Sequence, residues 1–358
     1  MEYMDLREVY ADPAAYMDGA VGLQGWIRNH RRQRSFGFMD FFDGTAMQGI
    51  QIVYDEDTPG FAEIQALRPG AAISACGVLR RSTRGGLELH AQSIALEGDC
   101  PEDYPLQPKR HTVEFLRQIA YLRPRTRLFQ AVFRVRSAAA AAIHRYFTDN
   151  GYVYVHTPIL TANDGEGAGN TFTVTTLDPA AGAPDYARDF FGKKTALAVT
   201  GQLEGETFAL AFKKIYTFGP TFRAEDSNTK THAAEFWMIE PEMAFADIHD
   251  DMRVVQDMMK FVIRYVLDTC PDEMAFFNNF YDKGLVERLT ALVDADFAHV
   301  TYTEAIELLE PHKDEFDYPV YWGVDLQTEH ERFLTEKIFK KPVFVPDYPR
   351  EIKAFYMR

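Results

Sequence analysis

The stretches FGPTFRAE at 218–225 and EFWMIEPEM at 235–243 decide the fold of the second half of this 358-residue chain. Both are rich in aromatic residues, and a polar loop at 226–234 separates them. Apolar runs of this length around a polar loop are typical of paired strands. The pattern therefore predicts an antiparallel β-hairpin with strands over about 215–223 and 235–245.

Charged residues lie close together on one face of this predicted hairpin. Side chains two residues apart point to the same side of a strand, which places Arg223 and Glu225 together on the first strand. The shared face of the second strand carries Phe236, Met238, Glu240 and Glu242. Core-facing strands rarely hold so many charges, so a polar site is predicted here. An arginine suits phosphate oxygens, and an aromatic ring suits a flat heterocycle.

The elements around the hairpin predict a mixed α+β domain with an antiparallel sheet. Apolar residues recur every three or four positions from 127 to 149, which predicts a long amphipathic helix, and Gly151 is placed to cap its end. A strand is expected over 152–158, where the terminal proline favours a sheet edge or an interface. Further helical patterns cover about 247–269, 283–293 and 302–310.

The first hundred residues predict a different architecture. Five short apolar segments are divided by turn signals, and they cover 21–27, 36–41, 49–54, 71–79 and 87–94. Five strands in so short a stretch suit a small β-barrel of the oligonucleotide-binding type. We therefore expect a barrel domain at 1–100, a proline-punctuated linker at 101–126 and the α+β domain at 127–358. A basic run, RNHRRQR at 28–34, borders the first barrel hairpin.

The composition, with 46% hydrophobic and 25% charged residues, is that of a globular protein. No stretch approaches the roughly 18 apolar residues that a membrane span needs, and the N-terminus lacks a signal-peptide pattern. Cys76, Cys100 and Cys270 are far apart, which favours reduced thiols in a cytoplasmic protein over disulfides or zinc. The net charge of −15 argues against nucleic acid as a partner, although phosphate binding depends on local patches.

The motifs together resemble the asparaginyl-tRNA synthetases, a family of class II aminoacyl-tRNA synthetases. The FRAE segment, its loop and the aromatic strand resemble the second class II signature motif, and 127–160 resembles the first. The finer match rests on HTP at 156–158, EGAG at 166–169, TGQL at 200–203, RAEDS at 223–227, His232, IEPEM at 239–243 and YP at 348–349. The resemblance runs through the whole chain, barrel included. It implies an ATP-dependent ligase for asparagine and tRNA(Asn).

The resemblance implies an ATP site on the hairpin. Arg223 would hold the α-phosphate and follow the charge that grows there when the asparagine carboxylate attacks. Glu225 would accept a hydrogen bond from the adenine amino group, Phe236 would stack on the adenine ring, and His232 would reach the distal phosphates. Alternatively, Arg223 and Glu225 form a plain ion pair, Phe236 belongs to the core, and His232 is solvated.

The resemblance also implies an amino-acid pocket. Glu166 lies in a glycine-rich stretch that suits a mobile lid and would approach the ammonium of the substrate, as would Glu240. Gln202 would contact the same backbone end of the substrate. Glu206 would read the side chain, because a carboxylate accepts hydrogen bonds from the asparagine amide and repels the carboxylate of aspartate. Synthetases specific for aspartate place a cation nearby, where Gly205 stands here. A solvated Glu206 is the plainer interpretation.

The barrel would bind the anticodon. By resemblance, Phe38 would stack on the central base and Gln51 would hydrogen-bond to that base, while Arg28 and the run 31–34 would contact phosphates. Phe38 could instead fill the barrel interior. The first signature motif, at 127–158, implies a homodimer interface.

The family pattern continues beyond Arg358, with magnesium-binding acidic residues and a third motif whose arginine contacts adenine. We therefore expect Mg²⁺ as a cofactor, no metal ligands within these 358 residues, and poor adenylate formation by this stretch alone. Two alternatives stay open: a catalytically defective tRNA-binding fragment or paralogue, and an aspartate–tRNA ligase.

Overall fold

A computed structural model describes residues 2–83, 85–163, 170–178, 180, 182–226 and 232–353. The chain divides into two compact units. The first contains Met1–Ser137 and Cys270–Gly284, and the second contains Ala138–Thr269 and Leu285–Arg358. The domain bounds expected from the sequence, with a separate linker, stay a prediction.

The first unit contains a closed β-barrel with a short additional edge strand. Its strands are β1 (Tyr3–Met4), β2 (Ala20–Arg32), β3 (Phe36–Phe42), β4 (Ile50–Asp55), β5 (Ala72–Arg81) and β6 (Leu87–Gly98). The order is β1-β2-β3-β4-β6-β5, and β2 also pairs with β5, which closes the barrel. The prediction of a five-stranded barrel of the oligonucleotide-binding type is confirmed, with most strands longer than expected.

Short helices flank the barrel strands in this unit. They are α1 (Leu6–Ala11), α2 (Pro13–Tyr16), α3 (Phe61–Ala66) and α4 (Val113–Gln118), with a 3₁₀ turn at Arg123–Arg125. The barrel interior is a continuous apolar core that includes Leu23, Met39, Phe41 and Ile52, each at most 1% exposed. Alternation along β3 therefore sends Met39 and Phe41 inward and leaves Phe38 partly exposed on the outer side.

The predicted long helix is α5 (Arg127–Asp149), and Gly151 after its end has φ +78°, as a left-handed cap requires. The predicted strand over 152–158 is shorter than expected: β7 is Val153–Tyr154. One further backbone bond, from Val155 N to Tyr216 O, extends the pairing. Pro158 cannot donate to a sheet ladder, which limits any longer strand.

The second unit is α+β. Its strands are β8 (Leu160–Thr161), β9 (Thr173–Val174), β10 (Thr195–Leu197), β11 (Lys214–Phe222), β12 (Glu235–Met243), β13 (Ala298–His299) and β14 (Val343–Phe344). They form the sheets β12-β11-β7, β8-β10-β9 and β13-β14. In the first sheet β12 is antiparallel to β11 and β7 is parallel to it. The predicted antiparallel hairpin is therefore confirmed.

Helices complete both units: α6 (Gln202–Phe212), α7 (Ile248–Thr269), α8 (Pro271–Phe280), α9 (Leu285–Asp294), α10 (Tyr302–Leu309) and α11 (Thr328–Arg332). Shorter helical turns cover Tyr186–Arg188, Glu310–Glu315, Phe333–Ile338 and Arg350–Ile352. Of these, α8 belongs to the first unit and α6 to the second. Tyr216 and Phe218 of β11 pack with Ile143 and Phe147 of α5, which fixes one face of the hairpin sheet in the core. The opposite face is available for a site.

Within the described part of the chain, no helix is both long and apolar enough to cross a bilayer.

Candidate active site and barrel surface

Arg223 lies just beyond the end of β11, in a fixed position. Its backbone N donates to Ala234 O at 3.1 Å, and its Nε donates to Val199 O at 3.3 Å. The guanidinium carbon is 5.5 Å from the centroid of the Phe236 ring. The backbone thus holds a cation beside a partly buried aromatic ring, as the predicted nucleotide site requires.

The expectation that Arg223 and Glu225 share a face of the first strand is wrong. The strand ends at Phe222. Ala224 no longer pairs across the hairpin, because its backbone N donates to Asn170 O at 2.6 Å. Strand alternation therefore does not set these side chains. Glu225 and His232 are both exposed, on either side of the loop that contains the undescribed residues 227–231.

Glu240 of β12 binds the turn that precedes α6. Its carboxylate accepts from the hydroxyls of Thr200 and Thr217, the latter at 2.7 Å. It also accepts from Gly201 N, 3.1 Å from each oxygen. The amino acid chosen from the resemblance as an ammonium contact is therefore also the group that positions the start of a neighbouring helix.

Gln202 and Glu206 are brought together on one face of α6. They are four residues apart, and Gln202 Nε2 donates to Glu206 Oε1 at 3.1 Å. Gly205, between them in the chain, is buried against the sheet. A Cβ at that position would lie 3.4 Å from Ile215 Cδ1 and 3.7 Å from Glu242 Cγ. Its lack of a side chain lets the helix pack closely beside Glu242.

Glu242 belongs to the site as well; the strand pattern predicted its face of β12 but no role for it. Burial raises its pKa to about 7, and the nearby carboxylates of Glu206, Glu240 and Asp251 add to the effect. A carboxyl group that is half protonated near neutral pH marks a place of concentrated negative potential. The helix face and the strand face therefore form one acidic surface.

The predictions for Glu166 and for magnesium involve none of the contacts described above. Glu166 lies among the residues 164–169, which are outside the described residues. For magnesium, the described ranges contain no group of three His, Cys, Asp or Glu side chains arranged to hold a metal ion. No metal-dependent step can therefore be assigned to particular residues of this part of the chain.

On the barrel, Phe38 and Gln51 share the outer face. Gln51 Nε2 donates to Glu88 Oε1 at 2.7 Å, and Gln51 Oε1 accepts from Arg31 Nη2, also at 2.7 Å. The guanidinium carbon of Arg31 lies 5.5 Å from the Phe38 ring centroid. These residues line a depression of about 610 Å³ on the barrel wall. Phe38 is thus available for stacking and does not fill the barrel.

Arg28 does not join this group. Its Nη2 donates to Gln130 Oε1 at 2.9 Å, and its guanidinium packs 4.2 Å from the Phe42 ring centroid. Burial, together with nearby Arg127, lowers its pKa to about 10. Arg31 belongs to the run 31–34 that the sequence predicted as a phosphate contact, whereas Glu88 was not predicted as part of this surface.

Comparison with known proteins agrees with both halves of this geometry. Residues 112–358 match the family described as tRNA synthetases class II (D, K and N), and residues 21–97 match the family described as OB-fold nucleic acid binding domain. These two matches define the class: a class II synthetase domain that follows a nucleic-acid-binding barrel.

The relatives are more specific. Asparagine–tRNA ligase of Desulfitobacterium hafniense (strain Y51) is 57% identical over 366 residues, which cover 100% of this chain and 79% of the relative. Asparagine–tRNA ligase of Clostridium botulinum (strain Eklund 17B) is 56% identical over 361 residues, with 99% and 78% coverage. The chain therefore belongs to the asparagine–tRNA ligase family of aminoacyl-tRNA synthetases, as the sequence motifs predicted.

Solved structures show the same fold. Asparaginyl-tRNA synthetase from Pyrococcus horikoshii complexed with asparaginyl-adenylate is similar, with a TM-score of 0.83 and 27% identity over 100% of this chain and 77% of that one. An aspartyl-tRNA synthetase from Entamoeba histolytica has a TM-score of 0.74 at 19% identity, with 99% and 72% coverage. At that identity the second likeness concerns the fold alone.

Proposed function

We propose that the protein uses ATP to activate asparagine as asparaginyl-adenylate and then transfers asparagine to the 3′-terminal adenosine of tRNA(Asn). The observation that carries this proposal is the arrangement of Arg223 beside Phe236 on the same hairpin that carries Glu240 and Glu242. The similarity to asparagine–tRNA ligases supports asparagine as the amino acid, and the asparaginyl-adenylate in the Pyrococcus structure supports the intermediate.

In the ATP half of the site, Arg223 contacts the α-phosphate. Its guanidinium is held from the backbone side, so it needs little reorganisation as negative charge grows on the phosphorus oxygens. Phe236 supplies a face for the adenine ring. Glu225 and His232, whose side chains are exposed, would reach the adenine amino group and the distal phosphates respectively.

We also propose Mg²⁺ as the partner of ATP. A bound magnesium ion would supply positive charge at the β- and γ-phosphates as pyrophosphate departs. Since no metal-binding group of side chains occurs among the described residues, no ligand in this part of the chain is assigned to it. The roles of Arg223 and Phe236 do not depend on that assignment.

In the amino-acid half, Gln202 and Glu240 contact the backbone end of asparagine, and Glu166 is proposed for its ammonium. Glu206 reads the side chain. The acidic surface formed by Glu206, Glu240 and Glu242 accepts hydrogen bonds from an amide and repels a carboxylate. Gly205 brings no cation to this surface, which supports asparagine over aspartate as the substrate.

The barrel is proposed to bind the anticodon. Phe38 stacks on a base, and Gln51 hydrogen-bonds to a base edge. The Arg31 guanidinium lies beside both side chains, so it is the cation best placed to contact the RNA there. Arg28, predicted for the same role, would need to leave Gln130 and Phe42 to reach a phosphate.

We further propose a homodimer through α5 and the segment 152–158. Val153 in the edge strand β7, together with Ile159 and Leu160, leaves apolar surface exposed at that edge. Sedimentation at micromolar concentration should give twice the mass of one chain, and a monomer would contradict the interface. A cytoplasmic location follows from the proposed substrate, because tRNA charging serves translation there.

The test is ATP–pyrophosphate exchange by the full-length enzyme with asparagine and, in parallel, with aspartate. We expect exchange with asparagine and little with aspartate. Changing Glu206→Gln should relax this selectivity, because an amide can donate to the aspartate carboxylate that Glu206 repels. Unchanged selectivity would remove Glu206 from the side-chain pocket, and exchange with aspartate alone would overturn the proposed substrate.

A further inference from the structure

We propose that the loop 186–194 binds the single-stranded 3′ end of the tRNA and guides it toward the site, an inference that rests on the proposed function. Two aromatic rings and three cations are exposed within nine residues of this loop: Arg188, Phe190, Phe191, Lys193 and Lys194. Neither the ATP nor the asparagine contacts proposed above use any of them.

The loop is anchored from within by one buried carboxylate. Asp189 is 9% exposed and accepts from Thr176 N at 2.9 Å, from Thr176 Oγ1 at 2.8 Å and from Phe190 N at 2.8 Å. Because Asp189 points inward and is bonded on several sides, the residues next to it are directed to the surface. The exposed side chains are therefore presented by a fixed backbone.

The exposed rings have the character of a stacking surface. Phe190 is 77% exposed and Phe191 is 47% exposed. Their centroids are 4.8 Å apart with an interplanar angle of 79°, so the two rings present faces in different directions. Exposed aromatic faces hold unpaired bases with little sequence preference, whereas bases inside a duplex are already stacked.

The charge of the loop complements a nucleic acid. Its exposed charged side chains, Arg188, Lys193 and Lys194, are all positive, although the whole chain has a net charge of −15. Lysine and arginine beside stacking aromatics are the usual combination for a phosphate backbone with unpaired bases. An acidic protein surface would pair with the cations but not with the exposed rings, and a lipid tail would contact the rings but not the cations.

The loop leads directly to the site. Lys194 is followed by β10, and the carbonyl of Val199, five residues after Lys194, accepts the hydrogen bond from Arg223 Nε. Five residues span at most about 18 Å. A short single-stranded end bound on the rings can therefore reach the proposed position of the adenylate, which must meet the terminal adenosine.

The experiment replaces Phe190→Ser and Phe191→Ser, singly and together, and compares charging of tRNA(Asn) with asparagine-dependent ATP–pyrophosphate exchange measured without tRNA. Loss of one stack should raise the KM for tRNA roughly tenfold and leave exchange unchanged. Phe280→Ser is the matched control, because Phe280 is 67% exposed in the other compact unit. Phe190→Trp should restore parental charging.

A second experiment tests which part of the tRNA the loop contacts, and it uses tRNA(Asn) that lacks its single-stranded 3′ end. The binding advantage of the parent over Phe190→Ser should disappear with this RNA, since the bases that stack are gone. Lys193→Gln with Lys194→Gln should lower the slope of log affinity against log salt by about 1.4. A binding advantage of the parent that persists without the 3′ end would overturn the inference. Normal charging by the variant that combines Phe190→Ser and Phe191→Ser would overturn it as well. Absence of exchange by the full-length parent enzyme would instead overturn the proposed function.

Discussion

The outer face of the barrel and the site face of the hairpin sheet both carry polar side chains in paired strands, but they hold them in different ways. On the barrel, Arg31, Gln51 and Glu88 bond to one another above a continuous apolar interior. On the sheet, Glu240 bonds to Thr200, Gly201 and Thr217, and so holds the backbone that begins α6.

On the barrel face, the side chains proposed to bind RNA are therefore separate from those that stabilise the fold, whereas in the sheet the same side chain serves both purposes. Side chains on the barrel face can be changed while the interior stays packed, because the core lies beneath them. In the sheet, the Glu240 carboxylate that is proposed to meet the substrate also accepts hydrogen bonds from the partly buried backbone N of Gly201. Substitutions in the sheet should therefore affect both activity and stability, and those on the barrel face should affect only RNA binding.

Arg223→Ala should have the largest effect. Loss of a preorganised cation that acts on developing charge costs about 3–4 kcal/mol, or about 10²–10³-fold in adenylate formation. Asparagine-dependent pyrophosphate exchange is the measurement, with tRNA binding to the barrel as the internal control. Exchange within tenfold of the parent would show that Arg223 serves only to hold Val199.

Glu240→Ala should come next and should test the coupling in the sheet. The hydroxyls of Thr200 and Thr217 can turn to other acceptors, but Gly201 N cannot, so we expect a loss of about 2–3 kcal/mol of unfolding free energy. Urea unfolding measures it, with Glu307→Ala on the exposed face of α10 as the matched control. Equal stability of the two variants would break the contrast between the regions.

Phe38→Ala should weaken tRNA binding by about 2 kcal/mol, the usual size of one base–aromatic stack. Stability should change little, since Phe38 is partly exposed on the outer face. The matched variant is Phe41→Ala, three residues along the same strand and 1% exposed, which should cost about 3–5 kcal/mol of stability. Similar unfolding by both variants would mean that Phe38 is part of the core.

Glu242→Gln should have the smallest effect, and it should depend on pH. Burial raises the Glu242 pKa from 4.5 to about 7, so the protonated form is favoured in the folded state. Its contribution to stability is complete below pH 4.5 and is lost as pH rises toward 7. The free energy of unfolding of the variant relative to that of the parent should therefore increase by about 1 kcal/mol when the pH rises from 5 to 8, after allowance for solvent screening of a partly exposed group. A gain that is equal at both pH values would contradict the raised pKa.

Local sequence patterns were sufficient for the elements of the fold. Apolar spacing predicted α5 at its observed ends, and turn signals predicted the barrel strands, because these features depend on residues close together in the chain. The motif residues were also enough to indicate the family. Local patterns missed the helices α6 and α8, and they predicted a longer strand than the observed β7.

Only the tertiary structure decided which side chains meet. A β-bulge between Ile27 and Asn29 shifts the register of β2 by one residue, so Arg31 rather than His30 lies opposite Phe38. No local pattern marks that bulge. The bonds of Glu240 to the start of α6 likewise join residues about 40 apart in the chain, and the close packing at Gly205 places Glu242 beside Glu206. The sequence determined which groups were present, and the long-range packing of strands and helices determined their distances, their burial and hence their charge states.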